Sequence, residues 1–189
     1  MRIFVTGRSG CGKSTFAKLL AKRLGYEYVD LDKVSHTIYE DENITNGVVE
    51  IFGKDILEKG IIDRKKLGAK LFSESDKSKV ELFNKITAEK IKELALAYMD
   101  RDVVVDWILL PKTEFYHMAD IKILVKAVDD NLRFKKIMAR DNIDIEYLRS
   151  RENAGIEYDE STFDYVINND YIDSNLEAKV EEIYSDIVR

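Results

Sequence analysis

The octapeptide Gly7-Arg8-Ser9-Gly10-Cys11-Gly12-Lys13-Ser14 has the pattern G-x-x-x-x-G-K-S. It lies between an apolar run, Arg2 to Thr6, and a helical pattern in which Phe16, Leu19, Leu20 and Leu24 recur on one face before Gly25. A strand that feeds a helix N-terminus through such a loop confines the chain to a parallel α/β sheet. Gly7, Gly10 and Gly12 permit turns that a Cβ would obstruct, so successive N–H groups can face phosphate oxygens. Lys13 adds a mobile positive charge, and the Ser14 hydroxyl offers a hard oxygen to Mg²⁺. The helix opening at that point turns its positive end toward the same anion. The pattern therefore predicts a nucleoside triphosphate site whose contacts are Gly7, Ser9, Gly10, Cys11, Gly12, Lys13, Ser14 and Thr15.

Five runs read as strands: Arg2 to Thr6, Tyr26 to Asp30, Asp102 to Asp106, Ile121 to Lys126 and Asp164 to Ile167. Helical patterns separate them, so the expected fold is a three-layer P-loop α/β domain with a five-stranded parallel sheet. Residues 33–99 show no strand but several helical stretches, among them Ser75 to Met99, and read as a helical insertion. The core is then expected at 1–32 and 100–189, with a charged helical lid at about 140–156 that contains Arg140 and Arg151. Such a lid supplies cations to a transferring phosphoryl group when closed. The stretch Ser174 to Val188 carries Leu176, Val180, Ile183, Tyr184 and Ile187 on one stripe and should pack on the sheet.

Thirty basic and 36 acidic side chains give a net charge of −6. No basic stripe points to nucleic acid, so the expected partner is a small-molecule acceptor, and the chain is read as a monomer or weak homo-oligomer. One cysteine excludes an internal disulfide framework. With no apolar run near the roughly 18 residues of a membrane span, the expected location is cytoplasmic. Cys11 is read as incidental; a redox role would need its thiol pKa lowered by the helix N-terminus.

Asp30 and Asp32 flank Leu31 at the end of the second strand, and in an extended backbone both would point to one side, toward the phosphate loop. A carboxylate there could accept the proton of an attacking hydroxyl or hold a Mg²⁺-bound water. Asp106, at the end of Val103-Val104-Val105, is a further acid on a neighbouring strand and a candidate for holding Mg²⁺ through water. His36 follows Asp32 by one helical turn and is a weaker candidate for ligand contact. His117 has no supporting neighbour.

Taken with Phe52-Gly53-Lys54-Asp55-Ile56-Leu57, Gly60-Ile61-Ile62-Asp63-Arg64-Lys65-Lys66-Leu67, Arg140-Asp141, Arg151 and Asp164-Tyr165-Val166-Ile167-Asn168-Asn169, the chain resembles the dephospho-CoA kinase family almost end to end. The resemblance implies ATP-dependent phosphorylation of the ribose 3′-hydroxyl of dephospho-coenzyme A. It implies Asp32 as the base, Arg64 and the insertion as holders of the acceptor, Arg140 on the ATP phosphates and Asn168 near the adenine. The chain departs from the family pattern at Ala88-Glu89, where the family has His-Pro, at Trp107 to Pro111, and at Gly155, where it has glutamine. Two other readings stay open at this stage. One is a related P-loop kinase acting on a nucleoside or nucleotide; the other is a nucleotide-binding relative without phosphotransfer. A guanine-reading N-K-x-D is absent from the sequence, which argues against a GTPase switch.

Overall fold

The computed structural model describes residues 1–73, 75–153 and 156–189, so Gly155 lies outside the described residues. In chain order the elements are β1 (Arg2–Thr6), α1 (Lys13–Leu24), β2 (Glu27–Asp30), α2 (Leu31–His36), α3 (Glu42–Phe52), β3 (Leu57–Glu58), β4 (Ile61–Ile62), α4 (Arg64–Ser73) and α5 (Lys77–Leu96). There follow β5 (Val103–Asp106), β6 (Ile121–Ala127), α6 (Asp130–Asp141), α7 (Ile145–Asn153), β7 (Tyr165–Asn169) and α8 (Asp173–Ile187). The chain divides into two units, Met1–Asp32 with Met99–Arg189, and Lys33–Tyr98.

The first unit is organised by a five-stranded sheet in the order β2-β5-β1-β6-β7. Every neighbouring pair is parallel. The β-branched and apolar runs explain why: a parallel strand is covered on both faces, and Ile3, Val5, Val103, Val104, Val105 and Ile123 are all 0% exposed. Phe16 and Leu20 of α1 and Leu176, Val180 and Ile183 of α8 close over Ile3, Val5, Val104 and Ile123 on one face. The stripe read in the C-terminal stretch is thus the face that α8 buries. Because all five strands run one way, their carboxyl ends share one edge, and the residues that follow them gather there.

The second unit carries its own core of Val48, Phe52, Ile56, Ile62 and Leu67. Phe52 and Phe83 meet edge to face with centroids 5.9 Å apart. Its helices are capped by carboxylates. Asp41 accepts from the N–H groups of Asn43 and Ile44 at the start of α3, and Asp63 accepts from those of Lys65 and Lys66, 2.8 and 2.9 Å away, in α4. The absence of strands expected in this stretch is corrected by the β3–β4 hairpin.

Candidate active site

Gly12 is the N-cap of α1 and holds φ at +91°, a conformation that L side chains resist. A Cβ built there would collide with the side-chain amide nitrogen of Asn169, so the loop and the end of β7 approach as closely as backbone permits. That amide donates to the Cys11 carbonyl at 2.9 Å. The Tyr171 hydroxyl donates to the Gly10 carbonyl at 3.0 Å, and the Arg133 guanidinium to the Ser9 carbonyl at 3.0 Å. Arg133 is 1% exposed and pairs with Asp130 at 2.7 Å, which supplies the counter-charge that a buried cation needs. A cleft of about 250 Å³ opens beside the loop, bounded by Gly10, Gly12, Lys13, Ser14 and Thr15 on one side and by Arg140, Asn169 and Tyr171 on the other. Lys13 and Arg140 thus supply two cations to the cleft beside the loop.

The acids stand at the same sheet edge. Asp30 and Asp106 are register partners on β2 and β5. Asp106 is 2% exposed; one carboxylate oxygen accepts from the Tyr28 hydroxyl at 3.2 Å, and Oδ1 has no hydrogen-bond partner. Burial raises the Asp106 pKa above the usual carboxylate value, and the Lys13 charge and Ser14 hydroxyl offset this only in part. The same burial, reinforced by the Asp106 and Asp30 charges, pushes the Tyr28 phenol well above its ordinary value. Asp32 does not extend the strand. The strand ends at Asp30 because Leu31, 0% exposed, opens α2, and Asp32 becomes an exposed residue in the first helical turn, where a carboxylate suits the helix dipole. Contrary to the expectation for an extended backbone, Asp32 therefore does not continue the strand direction of Asp30, yet it lies close enough to Arg140 for its charge to help raise the guanidinium pKa, after the larger effect of Asp141.

Arg140 sits at the end of α6, chelated by Asp141 at 2.7 and 3.0 Å and donating to the Ser9 hydroxyl at 3.3 Å. Gly7 is buried, Ser9, Ser14 and Lys13 are half-buried, and Thr15 is exposed at the first turn of α1. Cys11 is 1% exposed, and burial raises its thiol pKa more than Lys13 lowers it, so the thiol is not primed for redox chemistry. Asn168 is exposed on β7 while its neighbour Asn169 is the residue that reaches the loop. Arg151 lies on α7. His36 closes α2 and Arg64 opens α4, both in the second unit. Ala88 and Glu89 are exposed positions of α5, whereas Trp107 is buried. Arg133, Asn169 and Tyr171 were not anticipated as parts of the site. A Tyr after an Asn-Asn-Asp turn carries no motif, and Arg133 looks from sequence like any charge on a polar helix.

The family model for dephospho-CoA kinase matches residues 1–174. Dephospho-CoA kinase of Fusobacterium nucleatum is 36% identical over 146 residues, 75% of this chain and 74% of that protein. Dephospho-CoA kinase of Listeria innocua is 32% identical over 200 residues, covering 99% of this chain and 96% of its own length. Among solved structures, dephospho-CoA kinase from Campylobacter jejuni superposes with a TM-score of 0.69 at 26% identity, covering 98% of this chain and 96% of that one.

Proposed function

The chain belongs to the dephospho-CoA kinase family, and we propose that Lys13, Arg140 and Asp32 carry its transfer of a phosphoryl group from ATP to the ribose 3′-hydroxyl of dephospho-coenzyme A. The observation that carries this assignment is the gathering of opposite charges at one sheet edge. Lys13 and Arg140 bound the cleft beside the loop. The charge of Asp32 is felt at Arg140, and Asp30 and Asp106 lie in register on the adjoining strands. The cations suit a transferring phosphoryl group and the outer carboxylate suits an alcohol.

The loop amides and Lys13 bind and orient the triphosphate, and Arg140 neutralises charge on the group in transit. Because the transition state for such transfers is loose, alignment and charge account for more of the rate than proton removal. Asp32 orients the acceptor hydroxyl and takes its proton. The residues present fit Mg²⁺: the Ser14 hydroxyl and the partnerless Oδ1 of buried Asp106 would hold it directly or through water, and Asp106 is the acid whose burial calls for a cation. Bound there, Mg²⁺ would neutralise charge that develops on the transferring phosphoryl group. In the same reading the unit Lys33–Tyr98, with Arg64, recognises the acceptor, and α7 belongs to a lid.

Release of ADP from ATP, followed with dephospho-coenzyme A, nucleosides and nucleoside monophosphates as competing acceptors, tests the assignment. Dephospho-coenzyme A should give the highest kcat/KM. A nucleoside or nucleotide that outperforms it would overturn the acceptor.

A further inference from the structure

Three successive carbonyls of the phosphate loop, those of Ser9, Gly10 and Cys11, are each bonded by a side chain from a distant part of the chain: Arg133, Tyr171 and Asn169. The peptides are trans, so a carbonyl fixed in one direction turns the next N–H the opposite way. The N–H groups of Gly10 and Gly12 are thereby aimed away from the side chains that grip the loop. That of Cys11 closes a turn on the Arg8 carbonyl at 3.2 Å.

Within this set Tyr171 is the strained member. Its φ is +65°, in the left-handed region, where a residue other than glycine persists only if its surroundings over-determine it. The surroundings here do so. The Tyr171 N–H donates to Asn169 Oδ1 at 2.9 Å, the same Asn169 side chain holds the Cys11 carbonyl, and the Lys136 ammonium lies 5.0 Å from the Tyr171 ring centroid. A small polar turn would satisfy the backbone better than tyrosine. What tyrosine adds is a rigid arm long enough to put a hydroxyl on Gly10. Burial pushes the phenol pKa up to about 12, so the donated proton stays in place throughout the neutral range.

We propose that Tyr171 is a positioning residue for the nucleotide, holding the phosphate loop in its anion-ready shape before the ligand arrives. The proposal deepens the ATP-binding part of the function above and rests on it. A loop pinned in advance loses less freedom when it binds, so removal of the pin should weaken nucleotide capture and leave acceptor recognition alone.

Two variants test it, Y171F and Y171G, by calorimetric titration with ADP in Mg²⁺ buffer and by thermal melting. Both should bind ADP about three- to tenfold more weakly, the worth of one neutral hydrogen bond. The KM for ATP should rise by the same factor while that for dephospho-coenzyme A stays put. Y171G relieves the left-handed backbone but also gives up the ring, so melting serves only to show that each variant is folded. Should Y171F fail to fold, Y171G carries the test. ADP affinity within about twofold of wild type in either folded variant overturns the proposal, being less than one hydrogen bond is worth. Equal rises in both KM values also overturn it, since that is the mark of general loosening. The titration needs no turnover: a wild type that binds ADP but leaves dephospho-coenzyme A unchanged removes the proposed reaction, and the Tyr171 experiment still decides its own question.

Discussion

The phosphate-loop edge of the first unit and the helical body of the second use their side chains for opposite purposes. In α1, 12 residues long, Phe16, Ala17, Leu20 and Ala21 are buried; in α5, 20 residues long, only Thr87 and Ala95 are. At the loop the backbone amides act beside the Lys13 and Arg140 cations, and buried or half-buried side chains such as Arg133 and Tyr171 serve to hold that backbone. In the second unit several polar side chains cap helices or tie loops, as Asp41 does at α3 and as Lys70 does with the Phe52 carbonyl at 2.7 Å and with Asp55. Such a site is altered either by removing one of its cations or by releasing what fixes its backbone. Substitutions at the loop edge should therefore damage function more than stability, and those in the helical unit the reverse.

The largest effect expected is from Lys13→Ala. Turnover, read as ADP release, should fall at least about a hundredfold, as for loss of one preorganised transition-state contact. Melting temperature should barely move, because Lys13 contributes no core packing. Turnover held within about a factor of two would remove Lys13 from the machinery, since such a contact contributes far more than that. Asp32→Asn should follow, with kcat reduced about tenfold to a hundredfold and the KM for ATP kept, at the low end for a general base because the transition state is loose. Parallel loss of ATP affinity and transfer would make Asp32 a metal ligand instead.

Two glycines offer a sharper contrast. Gly12 holds φ +91° against the Asn169 amide, whereas Gly60, at φ +84°, has open space where a Cβ would stand. Alanine at either position carries a left-handed backbone penalty of about 1–2 kcal/mol. Only Gly12→Ala displaces the loop, so it alone should also lose nucleotide affinity, about tenfold given how steeply misplacement is penalised. Equal ATP affinity in the two variants would break the distinction between the regions.

The same division governs what could be read without a structure. Arg2–Thr6 is found at its expected bounds because a buried parallel strand is a continuous apolar run. The starts of β2, β5 and β7 shift inward by one residue each, to Glu27, Val103 and Tyr165. The far end of β7 runs on to Asn169, a poor strand former held in place by its pairing with Ala127. The β3–β4 hairpin escaped notice because each strand has two residues; its signal was Lys59-Gly60, both at positive φ. At the site, the loop and its neighbouring acids were legible because motif and strand ends are local. The grip on the loop was not, because Tyr171 and Gly10 are 161 positions apart and only the closed sheet brings them together.

The smallest effect should be a change of stability with opposite sign in the two regions. Burial raises the pKa of Asp106, so the folded state favours the neutral acid relative to the unfolded chain. That contribution is complete below the unfolded carboxylate range, near pH 4, and is lost as pH rises through the folded pKa. At neutral pH the burial of Asp106 therefore costs stability, and Asp106→Asn should raise Tm at pH 7–8 by an amount that shrinks toward pH 4, while activity falls. Asp63 in the second unit is the mirror image. The Lys66 N–H, chief among its partners, lowers its pKa, so its contribution is present above the unfolded range and is lost as pH falls through the folded value. Asp63→Ala should lower Tm at neutral pH and leave it nearly unchanged in acid. Melting curves of both variants from pH 4 to 8 would decide it. If Asp106→Asn destabilises at pH 8, the Lys13 charge outweighs burial, and the acid at the loop edge is held for stability after all.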